Sequence, residues 1–202
     1  MAAGTGHRDP VVAQQASTAS QALAAAAAIG YPVVLKTDQP GVAHKSDAGG
    51  VLLGIDGPAR LAAAYTDLAG RLGPRVLVCQ TAAPGTELAL GITSDPSLGP
   101  LVVAAAGGLL AEFFADRVVA LPPVDQALAL RLIGRLRVAG LLAGVRGQPP
   151  ADLAAVAAAM ASVSAIATDL GGRLAALDIN PLICGPSGVI AVDALAVRAD
   201  RR

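Results

Sequence analysis

Lys36 closes an apolar, β-branched run, Gly30-Tyr31-Pro32-Val33-Val34-Leu35, and the loop His44-Lys45-Ser46-Asp47-Ala48-Gly49-Gly50-Val51 follows after a short gap. A lysine ammonium is a compact point charge with three donors, which suits it to phosphate oxygens. Gly49-Gly50 offers backbone N–H groups that can approach an anion, and Lys45 and Ser46 add donors. His44 is the candidate nucleophile of the loop. Strand, cation and glycine-closed histidine loop together form a build for holding and moving a phosphoryl group. Taken singly, each residue has a plainer reading. A strand-end lysine commonly snorkels to solvent, and one loop histidine is commonly a surface residue.

These groups need elements to position them. Residues 1–14 are polar and mixed, and read as a flexible lead. Residues 18–29 are alanine-dominated and predict a helix that Gly30 terminates. A strand over 33–36, a loop over 37–50 and a strand over 51–55 follow. Asp56-Gly57-Pro58 is a turn whose proline suits the first turn of a helix running to about residue 72. Beyond Gly73-Pro74 a strand is expected over 75–80. Residues 87–93 then alternate Leu88, Leu90 and Ile92 against Glu87, Ala89 and Gly91, the period of a half-buried strand. A turn over 94–100 leads to a buried strand over 101–105 and a flexible Gly107-Gly108 elbow. Helices are expected over 124–143 and 151–169, a strand over 174–179, a loop over 180–188 and a last strand over 189–192. Strand pairs alternating with helices imply an α+β protein with mixed or antiparallel sheets. The Gly73-Pro74 break divides a smaller N-terminal lobe, 15–74, from a larger one, 75–202.

Composition narrows the function classes. The 202 residues are 54% hydrophobic but only 2% aromatic, so the core must come from Leu, Val, Ile and closely approaching alanines. Fifteen basic residues balance fifteen acidic ones. That argues against a broad electrostatic footprint for nucleic acid or an anionic membrane, and leaves anion recognition to a few placed cations. No uninterrupted apolar stretch is expected to approach the roughly 18–20 residues of a spanning helix. The N-terminus lacks the apolar centre of a secretory signal. Cys79 and Cys184 lie far apart within apolar runs, as buried, reduced residues do in a cytoplasmic protein.

The same residues carry a resemblance. The Gly30–Lys36 and His44–Val51 segments resemble the ATP-grasp domain of NDP-forming acyl-CoA synthetases, the ADP-forming acetate–CoA ligases. Later segments agree in order: Glu87-Leu88-Ala89-Leu90-Gly91-Ile92 with Asp95-Pro96 and Gly99-Pro100; Gly107-Gly108 with Glu112; and Leu121-Pro122-Pro123. Leu141-Leu142-Ala143-Gly144-Val145-Arg146-Gly147 and Leu177-Asp178-Ile179-Asn180-Pro181-Leu182 with Val192-Asp193-Ala194 complete the series. The ordered set is far more specific than any one glycine-rich piece. Departures are the unrelated residues 1–14, Ala105-Ala106 before the elbow and Leu98 at a usual phenylalanine.

The resemblance implies an ATP-grasp fold of two α+β lobes clasping ATP or ADP and Mg²⁺. It implies nucleotide contacts by Lys36, Lys45, Ser46, Gly49, Gly50, Glu87, Gly107 and Gly108. Asn180 and Asp193 would be Mg²⁺ ligands, with Asp178 in or just behind them, a hard-oxygen set of the kind Mg²⁺ takes. Standing alone, Asp178 to Pro181 would read as an Asx turn closing a strand. His44 would accept or relay a phosphoryl group, which an imidazole nitrogen can do at neutral pH. The implied partner is a CoA-binding, ligase-type subunit or domain carrying a phosphohistidine. The chain would then be part of a larger ADP-forming acid–thiol ligase. The alternative is a regulatory or structural ATP-grasp domain, like those fused to protein acetyltransferases, or a truncated family member with little activity alone.

Overall fold

The computed structural model describes residues 12–42, 45–108, 115–145 and 147–199. The chain divides after Ala82 into two compact units. The first holds β1 (Ala13–Ala16), α1 (Ala19–Ile29), β2 (Val33–Thr37), β3 (Val51–Ile55), α2 (Pro58–Leu72) and β4 (Val76–Gln80). Its strands form an antiparallel four-stranded sheet in the order β1-β4-β2-β3. Thr18 caps α1 by accepting from the Gln21 N–H at 3.2 Å, and Gly30, at φ 92°, ends it. Ala22, Ala25 and Ala26 face the sheet and let α1 lie close to Val33, Leu35, Val76 and Val78. Leu61, Tyr65 and Leu68 of α2 complete that core.

Two boundaries differ from expectation. Ala13 and Gln14 belong to β1, paired with Cys79 and Val78, rather than to a flexible lead; residues 1–11 lie outside the described residues. The strand beyond Gly73-Pro74 belongs to the first unit, because β4 lies between β2 and β1, with Val34 opposite Cys79. Turn residues marked a break in the chain, but the ladder hydrogen bonds decide which sheet owns the strand.

The second unit contains β5 (Thr86–Asp95), β6 (Gly99–Ala106), β7 (Arg117–Ala120), α3 (Gln126–Ile133), α4 (Ala139–Leu142), α5 (Leu153–Leu170), β8 (Leu174–Gly185), β9 (Gly188–Ala191) and β10 (Ala194–Arg198). The sheet order is β10-β8-β5-β6-β7, with β9 also paired to β8, and every ladder is antiparallel. Leu88, Leu90 and Ile92 of β5 join Val102, Ala104 and Ala106 of β6 on the face that α5 covers with Val156, Met160 and Val163. The expected helix over 124–143 is two pieces, because Gly134 ends α3 and a turn separates it from α4. The expected loop after residue 179 continues instead as strand to Gly185, since Leu182 pairs with Leu88 and Cys184 with Thr86. Strand β10 was not expected either; all its residues are exposed, so it has no period-two burial signal.

Helix α5 with the turn after it, Leu153–Arg173, is long and apolar enough by composition to cross a membrane, a length expected of no segment. Its Val156, Ala157, Met160, Val163 and Ala167 lie in the core of the second unit, the position of a globular core helix. Ser164, 1% exposed on that helix, accepts the Val124 N–H at 2.7 Å. Ser164→Ala strands that amide without its acceptor and is expected to cost about 1–3 kcal/mol. Urea unfolding checks this as a lowered midpoint at unchanged slope, with Ser164→Thr closer to wild type.

Candidate functional site

In the N-terminal unit, every residue of the inner strand β2 is buried. Lys36 is only 5% exposed, so it is not a snorkelling edge lysine. Lys36 pairs with Val51 on one side and Leu77 on the other, which locks its backbone in the sheet. The neighbouring Thr37 N–H donates to the Gly50 carbonyl at 2.7 Å and joins the end of the loop to the strand.

The described part of that loop folds on itself. Gly50 N–H donates to the Lys45 carbonyl at 2.7 Å and Gly49 N–H to the Ser46 carbonyl at 3.0 Å. The expectation that these two amides are available to an anion is therefore corrected: both are spent within the loop. The glycines serve the backbone instead. Gly49 sits at φ +60°, and a Cβ on Gly50 would meet the Thr37 methyl at 2.6 Å and the Lys45 carbonyl oxygen at 2.9 Å. Lys45 and Ser46 remain as the side-chain donors of this segment. His44 lies outside the described residues, as do Glu112 and Arg146.

In the C-terminal unit, Glu87, Ala89 and Gly91 point away from the core-facing leucines of β5, as do Val103 and Ala105 of β6. The β5–β8 register shifts between Leu88 and Leu90, and the core side of β8 changes there from Leu177 and Ile179 to Leu182 and Cys184. Asp178 and Asn180, two apart in β8 and both exposed, therefore share the face opposite the core. Gly91 lies opposite Asp178. A shallow depression of about 240 Å³ runs over Ala89, Gly91, Val103, Ala105, Ala176 and Asp178. Small residues, Ala89, Gly91, Ala105 and Ala176, line the depression beside Asp178.

Glu87, Gly107, Gly108 and Asn180 are brought together. Gly107 N–H donates to the Glu87 carbonyl at 3.0 Å, and the Gly108 N–H lies 3.5 Å from the Asn180 side-chain oxygen. Gly108 has φ +57°, and a Cβ there would fall on the Glu87 carboxylate. The elbow is glycine because it crosses directly over the start of β5. A pocket of about 570 Å³ opens beside Glu87 and Gly107, lined also by Leu141, Val145, Gln148 and Cys184. Burial pushes the Cys184 thiol up to about 12, so it lines this pocket as an inert group rather than a thiolate. Asp193 precedes β10, where Ala194 pairs with Ile179, and Val192 N–H donates to the Pro181 carbonyl at 3.0 Å. That register sets Asp193 beside Asn180. Among the described residues no three His, Cys, Asp or Glu side chains form a metal-binding group. The set available here is two aspartates and an asparagine, all oxygen donors.

Residues 10–197 match the ATP-grasp domain family. This chain is an ATP-grasp domain. It is 32% identical over 189 residues to the β subunit of ADP-forming acetate–CoA ligase II of Pyrococcus furiosus, covering 89% of this chain and 80% of that subunit. It therefore belongs with the ATP-grasp subunits of ADP-forming CoA ligases. Against the trans-feruloyl-CoA synthase FCS1 of an unknown prokaryotic organism it is 36% identical over 192 residues, 90% of this chain but 27% of that protein. The chain thus spans about a quarter of that longer relative.

Solved structures agree. The dinucleotide-forming acetyl-coenzyme A synthetase 1 of Ca. Korarchaeum cryptofilum, in complex with coenzyme A, Ca-AMPCP and HgCl⁺, matches with TM-score 0.88 and 31% identity, covering 94% of this chain and 86% of that one. A second structure of that enzyme holds coenzyme A and Mg-AMPPCP, with a phosphohistidine segment pointing towards the nucleotide binding site. It matches with TM-score 0.81 and 32% identity, over 94% of this chain and 84% of that one.

The ATP-grasp domain also contains a carboxylate that sequence reasoning missed. Asp116 accepts the backbone N–H groups of Arg137 and Val138, each at 2.9 Å. It anchors the turn leading into α4 and the Leu141–Val145 wall of the larger pocket. No motif spacing signals it, because its partners are main-chain amides far along the chain. Asp95 does the same locally: the N–H groups of Leu98 and Ser97 hold its carboxyl below the ordinary range. With its folded pKa depressed, this clasp is present above the ordinary carboxylate pKa and is lost as pH falls through the lowered one.

Proposed function

We propose that this ATP-grasp domain is the nucleotide half of an ADP-forming acyl-CoA ligase, passing a phosphoryl group between a histidine and ADP. The observation that carries the reading is the grouping of Glu87, Gly107, Gly108 and Asn180 on the open sheet face that also bears Asp178. Asp178, Asn180 and Asp193 offer hard oxygens fitted to Mg²⁺, and these are the residues that would hold it. Bound there, Mg²⁺ would supply charge neutralisation of the phosphates.

Lys36, Lys45 and Ser46 supply donors to phosphate oxygens, and Glu87 orients the nucleotide. In the forward step the phosphoryl group arrives from a phosphohistidine on a CoA-binding partner and is relayed by His44. In the relay the partner's P–N bond breaks as a P–N bond forms to His44, and the proton that His44 gives up goes to the partner's imidazole. The His44 P–N bond then breaks as a P–O bond forms to the β-phosphate of ADP, and the released His44 nitrogen takes a proton. The products are ATP and free histidine. The protein's work is positioning and electrostatics, as in other phosphoryl transfers.

A regulatory role without turnover is not favoured, because the relatives matched over most of this chain are ligases. The acyl site and the CoA half of the ligase cycle belong to the partner. Mixing the chain with Mg²⁺, ADP and the phosphorylated partner is expected to yield ATP. His44→Ala is expected to stop the relay while Mg·ADP binding by calorimetry persists. ATP formation unchanged by that substitution would remove His44 from the mechanism.

A further inference from the structure

The loop that carries Lys45 and Ser46 is held from outside by one arginine. In the last turn of α2, Arg71 Nη2 donates to the Gly49 carbonyl at 3.2 Å. The same guanidinium is aimed by Asp67 one turn earlier, whose Oδ2 accepts from Nε at 3.1 Å and from Nη2 at 2.9 Å. Its Nη1 lies 3.5 Å from where a Cβ on Gly49 would stand, an ordinary van der Waals contact, so the glycine at this position serves the +60° φ of the turn.

The pair is poorly placed to serve stability. Its side chains are 42% and 58% exposed, and exposed ion pairs contribute little because solvent screens them and ordering two long side chains costs entropy. What it touches is more telling. Gly50 is already tied to β2 through the Thr37 amide, and the Lys45–Gly50 turn closes on its own amides. Arg71 grips the Gly49 carbonyl, one residue before Gly50 joins the loop to β2. We propose that Arg71, oriented by Asp67, is a positioning residue that holds the phosphate loop, residues 45–50, in the geometry that presents Lys45 and Ser46. The inference rests on the nucleotide reading for its purpose, but the contact itself can be tested without turnover.

Lys45 is a trypsin site inside the held turn, which supplies that independent readout. In brief digestion of the native chain, Arg71→Gln and Asp67→Asn are each expected to raise cleavage after Lys45 by about tenfold, as local opening becomes easier. The double variant is expected to be no faster than Arg71→Gln, because Asp67 acts through the arginine. Urea midpoints are expected to stay near wild type, and Arg71→Lys, which keeps a donor, to recover part of the protection.

In the partner-coupled assay the same variants are expected to raise KM for ADP several-fold with a smaller change in kcat. Unchanged cleavage in both single variants overturns the latch. Increased cleavage that merely tracks a fall in the urea midpoint overturns it too, as the pair would then be ordinary structure. Increased cleavage with an unaltered KM retains the latch but removes its role in presenting the donors. If wild-type protein makes no ATP, the nucleotide reading fails while the proteolysis still decides the contact.

Discussion

Lys36→Met is expected to leave the N-terminal sheet folded and to lower ATP formation by roughly 10²- to 10³-fold, the scale seen when one preorganised charge-stabilising donor is removed. Methionine keeps an unbranched stem on an inner strand whose other residues, Val33, Val34, Leu35 and Thr37, are all buried. The lost group is the ammonium alone. A lysine 5% exposed sits where low dielectric strengthens its attraction to phosphate, so neither arginine nor a surface lysine is an equivalent substitute. ATP yield with the phosphorylated partner and calorimetry with Mg·ADP measure the effect. Near wild-type values in both would show that the buried lysine belongs to the sheet and not to the nucleotide.

The second large effect is expected at Asp193. Asp193→Asn keeps the size and one oxygen but removes the charge, and should raise the Mg²⁺ needed for half-maximal rate by at least 10- to 100-fold. Asp193 precedes β10, whose first pair is Ala194 with Ile179, and its Oδ1 accepts the Ala194 N–H at 3.1 Å. A rate restored at high Mg²⁺ is the expected signature of weakened metal binding. An unshifted Mg²⁺ curve would remove Asp193 from the ligand set and leave Asp178 and Asn180 to be tested in its place.

The parts of the site that were legible in sequence are those built from local pattern. The alternation of Leu88, Leu90 and Ile92 identified β5 and set Glu87 and Gly91 on the other face, and the strand confirms it. Alanine stripes and glycine stops delimited α1 and α2 within a residue or two. Less was legible where a residue's role depends on a distant partner. The amides of Gly49 and Gly50 looked available, because flexibility is visible in sequence and the carbonyls that occupy those amides are not. The continuation of β8 through Asn180-Pro181 was hidden by a turn-like dipeptide, and pairing with β5 overrides that signal. Arg71 and Asp116 gave no signal at all, since each grips main chain rather than another motif.

Sequence alone therefore determined the inventory: a lysine on a strand, a glycine-closed loop, a glycine elbow, and two aspartates with an asparagine near the end. It also determined the family, because ordered motifs along most of the chain cannot recur by chance. Only tertiary structure decided how those residues are held. It assigned β4 to the first unit, buried Lys36 in the middle of a sheet, and moved the core side of β8 so that Asp178 and Asn180 share the open face. The physical reason is that side-chain period and turn propensity act over a few residues, whereas strand partnership, register shift and burial are settled by hydrogen bonds and packing between segments far apart in the chain.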